Sequence, residues 1–144
     1  SLKSLNFLIS KYDDNTSFLE TKADILLSHG YSKEAIKFYR EVLKKQPLNN
    51  YSKYNIFINI DFSNNDEKIN RAMFEENQNL FYLFPNNNLL FTKYLNLAKI
   101  LNKEDWILFL EILLYDEKNS KRNLNNLKTL TKDNNLKKLL KLYT

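Results

Sequence analysis

Apolar residues recur at helical spacing along most of the chain, and the pattern is sharpest between residues 16 and 49. Leu19, Ala23 and Leu26 follow the i, i+4, i+7 spacing of one helical face. Gly30 comes next, where the end of a helix favours a residue that can take a positive φ. The pattern therefore predicts an amphipathic helix that ends at Gly30.

Two short motifs predict where the helices of this segment begin. Ser17 followed by Glu20 is typical of a capping box, in which each side chain accepts from an amide at the helix start. Ser32 is a candidate cap for a second helix, which Pro47 must terminate because proline has no amide hydrogen. Residues 16–49 are thus predicted to form two helices joined by a tight turn.

This helix pair resembles the tetratricopeptide repeat, a unit of about 34 residues. The apolar, small and turn positions of that family are matched by Leu19, Ala23, Leu26, Gly30, Ala35, Tyr39, Val42 and Pro47. Ala23 and Ala35 are small where paired helices approach, and Tyr39 is large enough to fill the space between repeats. Lys22 departs from the usual apolar residue, and Val42 replaces the usual alanine.

The same register extends to the rest of the chain with lower fidelity. Residues 1–15 fit the second helix of a truncated repeat, residues 50–86 and 87–120 fit degenerate repeats, and residues 121–144 fit basic capping helices. The middle repeat is predicted to contain helices over 51–62 and 66–84, with four residues inserted or a longer second helix. The core candidates outside residues 16–49 are Leu2, Leu5, Leu8, Ile9, Tyr12, Tyr54, Phe57, Ile58, Ile69, Met73, Leu80, Phe84, Leu90, Tyr94, Leu97, Trp106, Leu110, Leu113, Leu124, Leu127, Leu130, Leu136, Leu139, Leu140 and Tyr143.

Composition favours the same fold class. The chain has 43% hydrophobic residues but only one glycine and two prolines, too few for the turns of a sheet with many strands. Clusters of asparagine at 49–50, 64–65, 86–88 and 134–135 separate the apolar segments and indicate helix boundaries. We therefore predict a single all-α domain over 1–144: antiparallel helix pairs stacked as a short right-handed tetratricopeptide-like solenoid, with C-terminal capping helices.

Charge and the chain ends bear on location and partners. Residues 121–144 hold seven basic residues against Asp133 alone, a net +6 in a chain of net +5, so the basic character is C-terminal. No apolar run is long enough for a membrane span. Because the sequence begins at Ser1 without a methionine, we expect a soluble piece excised from a longer chain; cytoplasm, periplasm and cell envelope stay open, as does the oligomeric state.

Residues with catalytic or metal-binding chemistry are sparse. His29 is the single histidine, cysteine is absent, and one glycine cannot build a phosphate-binding loop. Adjacent acidic residues such as Glu104 and Asp105 point in different directions on a helix, and Trp106 has the spacing of a core residue. We predict no enzyme activity, no cofactor and no metal site.

The resemblance implies a binding function. In tetratricopeptide proteins the first helices of successive pairs line a groove that holds a peptide or helix, so we expect a non-catalytic adaptor or assembly scaffold. The positions that carry over as the groove are Ser17, Glu20, Asp24, Leu27, Ser28, Asn55 and Asn59, with Phe91 and Asn102 on the same wall. Two acidic residues there favour a mixed apolar or basic ligand and disfavour a carboxylate clamp.

The alternative is binding to an anionic surface through the C-terminal helices. Their basic patch consists of Lys128, Lys132, Lys137, Lys138 and Lys141. Such a patch beside an apolar face is typical of helices that contact anionic lipid or nucleic acid. Nucleic acid is the less expected of these, because the remainder of the chain is not basic.

Overall fold

The computed structural model describes residues 2–11 and 15–144, and these residues form helices and no strand. The prediction of an all-α fold is confirmed for this part of the chain. Tyr12 and Asp13, at the predicted end of the first helix, lie outside the described residues. The helices are α1 (Leu2–Ile9), α2 (Thr16–Ser28), α3 (Ser32–Lys45), α4 (Asn50–Asn59), α5 (Glu67–Glu76), α6 (Leu80–Leu83), α7 (Asn88–Ile100), α8 (Glu104–Tyr115), α9 (Ser120–Leu130) and α10 (Asn134–Tyr143), with a 3-10 turn at Phe62–Asn64.

The chain folds as two compact units. The first spans Ser1–Ile60 and contains α1 to α4, and the second spans Asp61–Thr144 and contains α5 to α10. The predicted middle pair is therefore divided, with α4 in the first unit and α5 in the second.

In the first unit, the start of α2 differs from the prediction. Its N-cap is Asn15, whose side chain accepts a hydrogen bond from the Phe18 amide at 3.0 Å. The predicted capping box is wrong, because Ser17 already lies inside the helix and Glu20 accepts from Asn49 instead. Asparagine caps as well as serine does, and here it precedes serine by two residues.

The turn after α2 is the one that the sequence predicts. Gly30 has φ +84°, its amide donates to Leu27 O, and the Tyr31 amide donates to Leu26 O. These two bonds form a Schellman motif, which satisfies carbonyls at the helix end. α3 then begins at Ser32, which is its first helical residue and not the predicted cap, since the N-cap position is Tyr31 and has no side-chain bond.

α3 lies between α2 and α4 in the first unit. It runs antiparallel to α2, because Gln46 after its end donates to Thr16 at the start of α2, over 3.2 Å. Ala23, Ala35 and Tyr39 are fully buried, so the helices approach at small residues as the repeat predicts. Lys22, the departure from the repeat pattern, is 5% exposed and places its ammonium 5.8 Å from the Phe38 ring centroid.

In the second unit, the predicted helix over 66–84 is broken at residues 77–79. α5 begins after the cap Asp66 but ends at Glu76. At this end, Asn77 Nδ2 donates to Met73 O at 2.8 Å. The Tyr94 hydroxyl donates to Phe74 O at 2.7 Å. Side-chain donors thus take two of the last four carbonyls of the helix, and the chain restarts as the short α6. The alternative of one longer second helix over this segment is therefore wrong.

α7 lies 72 residues after α2 along the chain, since their bounds are Asn88–Ile100 and Thr16–Ser28, and α8 also begins 72 residues after α3. Asn87 caps α7 as Asn15 caps α2, and Asn102 at φ 56° takes the place of Gly30 in a second Schellman motif. The four buried residues of α2 correspond in this register to buried residues of α7, namely Phe91, Tyr94, Leu95 and Ala98.

Aromatic rings form the core of the second unit. The Trp106 ring lies 5.0 Å from Phe74, 5.9 Å from Tyr94 and 5.8 Å from Phe109, between ring centroids. Trp106 is 1% exposed, which confirms its prediction as a core residue, and its indole nitrogen donates to Asp133 Oδ2 at 2.9 Å. Asp133 also caps α10 through the Leu136 amide, so one carboxylate joins α8 to the last helix.

Three residues predicted to be buried are exposed. Leu8 on α1, Ile69 on α5 and Leu130 at the end of α9 have 59%, 46% and 77% of their surface accessible. Each has the right helical spacing but lies near a helix end, or on the solvent side of a short helix, so periodicity alone placed it on the wrong face. On α5 the buried position next to Ile69 is Asn70, whose amide donates to Phe62 O at 2.9 Å.

Candidate functional site

The predicted groove centres on Asp24, an exposed residue of α2 to which α3 and α4 both reach. Its Oδ1 atom accepts a hydrogen bond from the Tyr39 hydroxyl of α3 and another, at 2.8 Å, from the Tyr51 hydroxyl of α4. One turn away, Glu20 Oε1 accepts from Asn49 Nδ2 at 2.6 Å. We call Glu20, Asp24, Asn49 and Tyr51 the acidic face of the first unit.

The two phenols are held in their protonated, donating form. Burial, followed by the hydrogen bond to Asp24, raises the pKa of Tyr39 well above its usual range. The same two causes raise the pKa of Tyr51 to about 12. Near neutral pH both hydroxyls therefore donate to Asp24, and the direction of its carboxylate is fixed before any ligand arrives.

The acidic face remains accessible although its members are bonded. Asp24 is exposed, and both hydrogen bonds that its side chain accepts end on Oδ1. Within the described residues, Oδ2 therefore accepts no hydrogen bond. The Tyr51 ring is 47% exposed and meets the buried Tyr39 ring edge-on at 6.2 Å. The face thus combines carboxylate oxygens with an aromatic surface.

The other predicted groove residues contribute unequally. Ser17 and Ser28 are exposed on α2, and Leu27 beside them is partly exposed. Asn55 is only 8% exposed and spends its amide on Tyr51 O, while Asn59 is partly exposed and donates to Asn55 O. The two asparagines therefore stabilise α4 and offer little surface to a ligand.

Two residues expected on the same wall belong to the second unit. Phe91 is 3% exposed and stacks on Phe81 at 5.9 Å between centroids, so it is a core residue and the expectation is corrected. Asn102 is exposed, but its positive φ gives it the conformational role of a turn residue.

The basic patch is mostly solvent-facing. Lys132, Lys137, Lys138 and Lys141 are exposed, whereas Lys128 is partly buried and donates to Thr144 Oγ1 at 2.9 Å. Three leucines of α10 are in the core, with Leu136 and Leu140 fully buried and Leu139 1% exposed, whereas Leu142 is exposed. The lysines are therefore available, but most of the apolar side of their helix is not.

The single histidine lies at a helix end and contacts that helix. His29 is the C-cap residue of α2, and its Nδ1 lies 2.9 Å from Ile25 O and 3.2 Å from Ser28 Oγ. Within residues 2–11 and 15–144, no three His, Asp or Glu side chains are grouped closely enough to hold a metal ion. No described helix has the length and apolar character needed to cross a bilayer.

Sequence reasoning selected Glu20 and Asp24 but missed Asn49 and Tyr51, which complete the acidic face. Both lie at the start of α4, where asparagine indicates a helix cap and tyrosine indicates a core residue. Only the packing of α4 on α3 brings them within hydrogen-bond distance of the carboxylates of α2. The sequence matches no known family model, no curated protein and no solved structure.

Proposed function

We propose that this chain is a non-catalytic protein–protein interaction module, an adaptor or assembly scaffold, that holds a segment of a partner protein on the acidic face of its first unit. The observation that carries the proposal is the exposed Asp24 carboxylate, fixed by phenols from two neighbouring helices. A preorganised charge loses little conformational entropy on binding, which favours recognition.

The repeat pattern supports this proposal. Helices begin at Thr16, Asn50 and Asn88, and the α2–α3 hairpin has the small contact residues and glycine turn of a tetratricopeptide repeat. In that family the first helices of successive pairs form the binding surface. In this proposal α2 and α4 take the place of those first helices, because Asp24 of α2 and Tyr51 of α4 are joined by a hydrogen bond in the acidic face.

The chemistry of the face favours a basic or mixed apolar and basic segment. A Lys or Arg side chain can pair with Asp24 and Glu20 while its charge or apolar stem lies on the Tyr51 ring. A ligand that ends in a carboxylate would meet repulsion at the same place. A single exposed ion pair contributes about 0.2–1 kcal/mol, so neighbouring contacts must contribute to the affinity.

Binding to an anionic membrane through α10 is less well supported. Interfacial helices bury their apolar face in lipid, but Leu136, Leu139 and Leu140 of α10 are already packed in the core of the second unit, which leaves Leu142 as the exposed leucine of this helix. What is left is electrostatic attraction through the exposed lysines, without insertion.

The test is an array of short peptides, probed with the labelled full chain. We expect selection of peptides that combine Lys or Arg with apolar residues, and loss of that selection in the double variant Glu20→Gln, Asp24→Asn. This variant keeps the oxygen atoms that accept from Asn49, Tyr39 and Tyr51 but removes two charges.

The matched control is the double variant Glu34→Gln, Glu41→Gln, which removes two charges from α3 in the same unit. Circular dichroism and urea unfolding of both variants establish that the fold is intact. If the control weakens binding as much as the acidic-face variant does, or if the selected peptides are acidic, the proposal is wrong.

A further inference from the structure

A cleft of about 370 Å³ lies between α6 and α10 in the second unit. Gln78 and Tyr82 line one side, Asn135 and Lys138 line the other, and the buried Leu139 borders the cleft. The cleft therefore brings two amides, a phenol and an ammonium group to one concave place.

These polar groups are not used by the fold. No hydrogen bond or ion pair within the described residues involves the side-chain amides of Gln78 and Asn135, the Tyr82 hydroxyl or the Lys138 ammonium. By contrast, two asparagines on α9 are committed, with Asn123 donating to Asp116 Oδ2 and Asn125 donating to Lys121 O. Side chains that do not support the protein's own backbone are able to bind a ligand.

Among the described residues, Lys138 is the one charged residue that lines the cleft. None of the residues that line it is acidic, and Lys137 and Lys141 are exposed on the same helix as Lys138. Tyr82 is 49% exposed at the edge and adds aromatic surface. The donors and the positive charge together match a carboxylate, which accepts several hydrogen bonds at once.

We propose that this cleft binds an acidic segment of a partner protein, with a Glu or Asp side chain held by Lys138 and the amides of Gln78 and Asn135. The concave shape favours a chain that can insert a side chain over a planar bilayer, whose headgroups reach only the outer lysines. The surface lies in the second unit and does not depend on the acidic face of the first, so the two proposals stand or fall separately.

The test uses the full chain, labelled with ¹⁵N, and a synthetic twelve-residue peptide of alternating Glu and Leu. The control peptide has Gln in place of Glu. We expect the acidic peptide alone to shift the backbone signals of residues 78–82 and 135–139 and the side-chain amide signals of Gln78 and Asn135.

Two charge variants separate the cleft from general attraction. Lys138→Gln removes the cleft charge, and Lys121→Gln removes one exposed charge from α9 outside the cleft. Losing a partly screened ion pair with its hydrogen bonds should weaken peptide binding about fivefold for Lys138→Gln and less than about twofold for Lys121→Gln. Tyr82→Ala should also weaken binding.

Three results would overturn the proposal. One is equal weakening by Lys138→Gln and Lys121→Gln, which indicates unspecific attraction to net charge. A second is equal binding of the Gln peptide. The third is tighter binding to vesicles containing phosphatidylserine, or to a single-stranded oligonucleotide, than to the acidic peptide, which would identify a different class of ligand for the lysines.

Discussion

Tyr94 offers the sharpest test of the break between α5 and α6. Its hydroxyl is buried and donates to Phe74 O at 2.7 Å, a carbonyl in the last turn of α5 with no partner further along that helix. Tyr94→Phe keeps the ring, which packs on Trp106, and removes only this donor. Leaving a buried carbonyl unsatisfied costs about 1–3 kcal/mol, so we expect the variant to lose about 2 kcal/mol of stability.

Urea unfolding followed by tryptophan fluorescence measures this loss in the right place, because Trp106 is the single tryptophan of the chain and lies in the second unit. With a slope of about 1 kcal/mol per molar urea for a unit of this size, the midpoint should fall by roughly 2 M. The matched control is Tyr115→Phe, since Tyr115 is 71% exposed and should change stability by less than about 0.5 kcal/mol. Equal midpoints for the two variants would refute the assignment of Tyr94 to the end of α5.

Two further predictions concern turns and alkaline pH. Gly30→Ala and Asn102→Ala should each lower the free energy of unfolding by about 1 kcal/mol, because alanine is strained at the positive φ of both positions. Urea unfolding measures the loss, followed by circular dichroism for Gly30→Ala and by Trp106 fluorescence for Asn102→Ala. Burial raises the pKa of Tyr94 and Tyr143, so the folded state keeps protons that the unfolded chain releases near pH 10. Stability should therefore be complete below about pH 10 and fall as the pH rises above it, seen as a lower urea midpoint at pH 11 than at pH 9; an unchanged midpoint would contradict these buried environments.

Helix boundaries are the part of the fold that the sequence predicts best. Asn49 and Asn87 cap helices as the asparagine clusters indicate, Gly30 takes the predicted positive φ, and α3 ends just before Pro47. These signals are local, because a cap or a stop depends on the conformation of one residue and its immediate neighbours. The misassigned capping box at Ser17 shows the limit, since several adjacent polar residues can perform the same task.

The break at residues 77–79 depends on a contact with another helix, so signals within the segment do not predict it. The sequence from Asp66 to Phe84 has continuous helical periodicity, and no proline or glycine interrupts it. Two carbonyls of α5 are instead taken by the Asn77 amide and by the hydroxyl of Tyr94, which comes from a distant helix. No pattern within the segment itself specifies the second of these bonds.

The candidate surfaces follow the same division between local and distant signals. Glu20 and Asp24 were predicted from their positions on one helix, whereas Tyr51 joins them only because α4 packs on α3 in the first unit. The α6–α10 cleft combines Gln78 and Tyr82 with Asn135 and Lys138, which are far apart along the chain, so no local pattern predicts it.

The α2–α3 and α7–α8 hairpins share their capping and turn signals but not the buried face of their second helices. The first helices α2 and α7 bury equivalent positions, but their partners do not: α3 buries Ala35 and Tyr39, whereas α8 buries Trp106 and Leu110, one residue out of the 72-residue register. One residue is about 100° of rotation on a helix, so α8 presents a different face from α3. The capping and turn signals therefore persist in the α7–α8 hairpin although its second helix buries a different face.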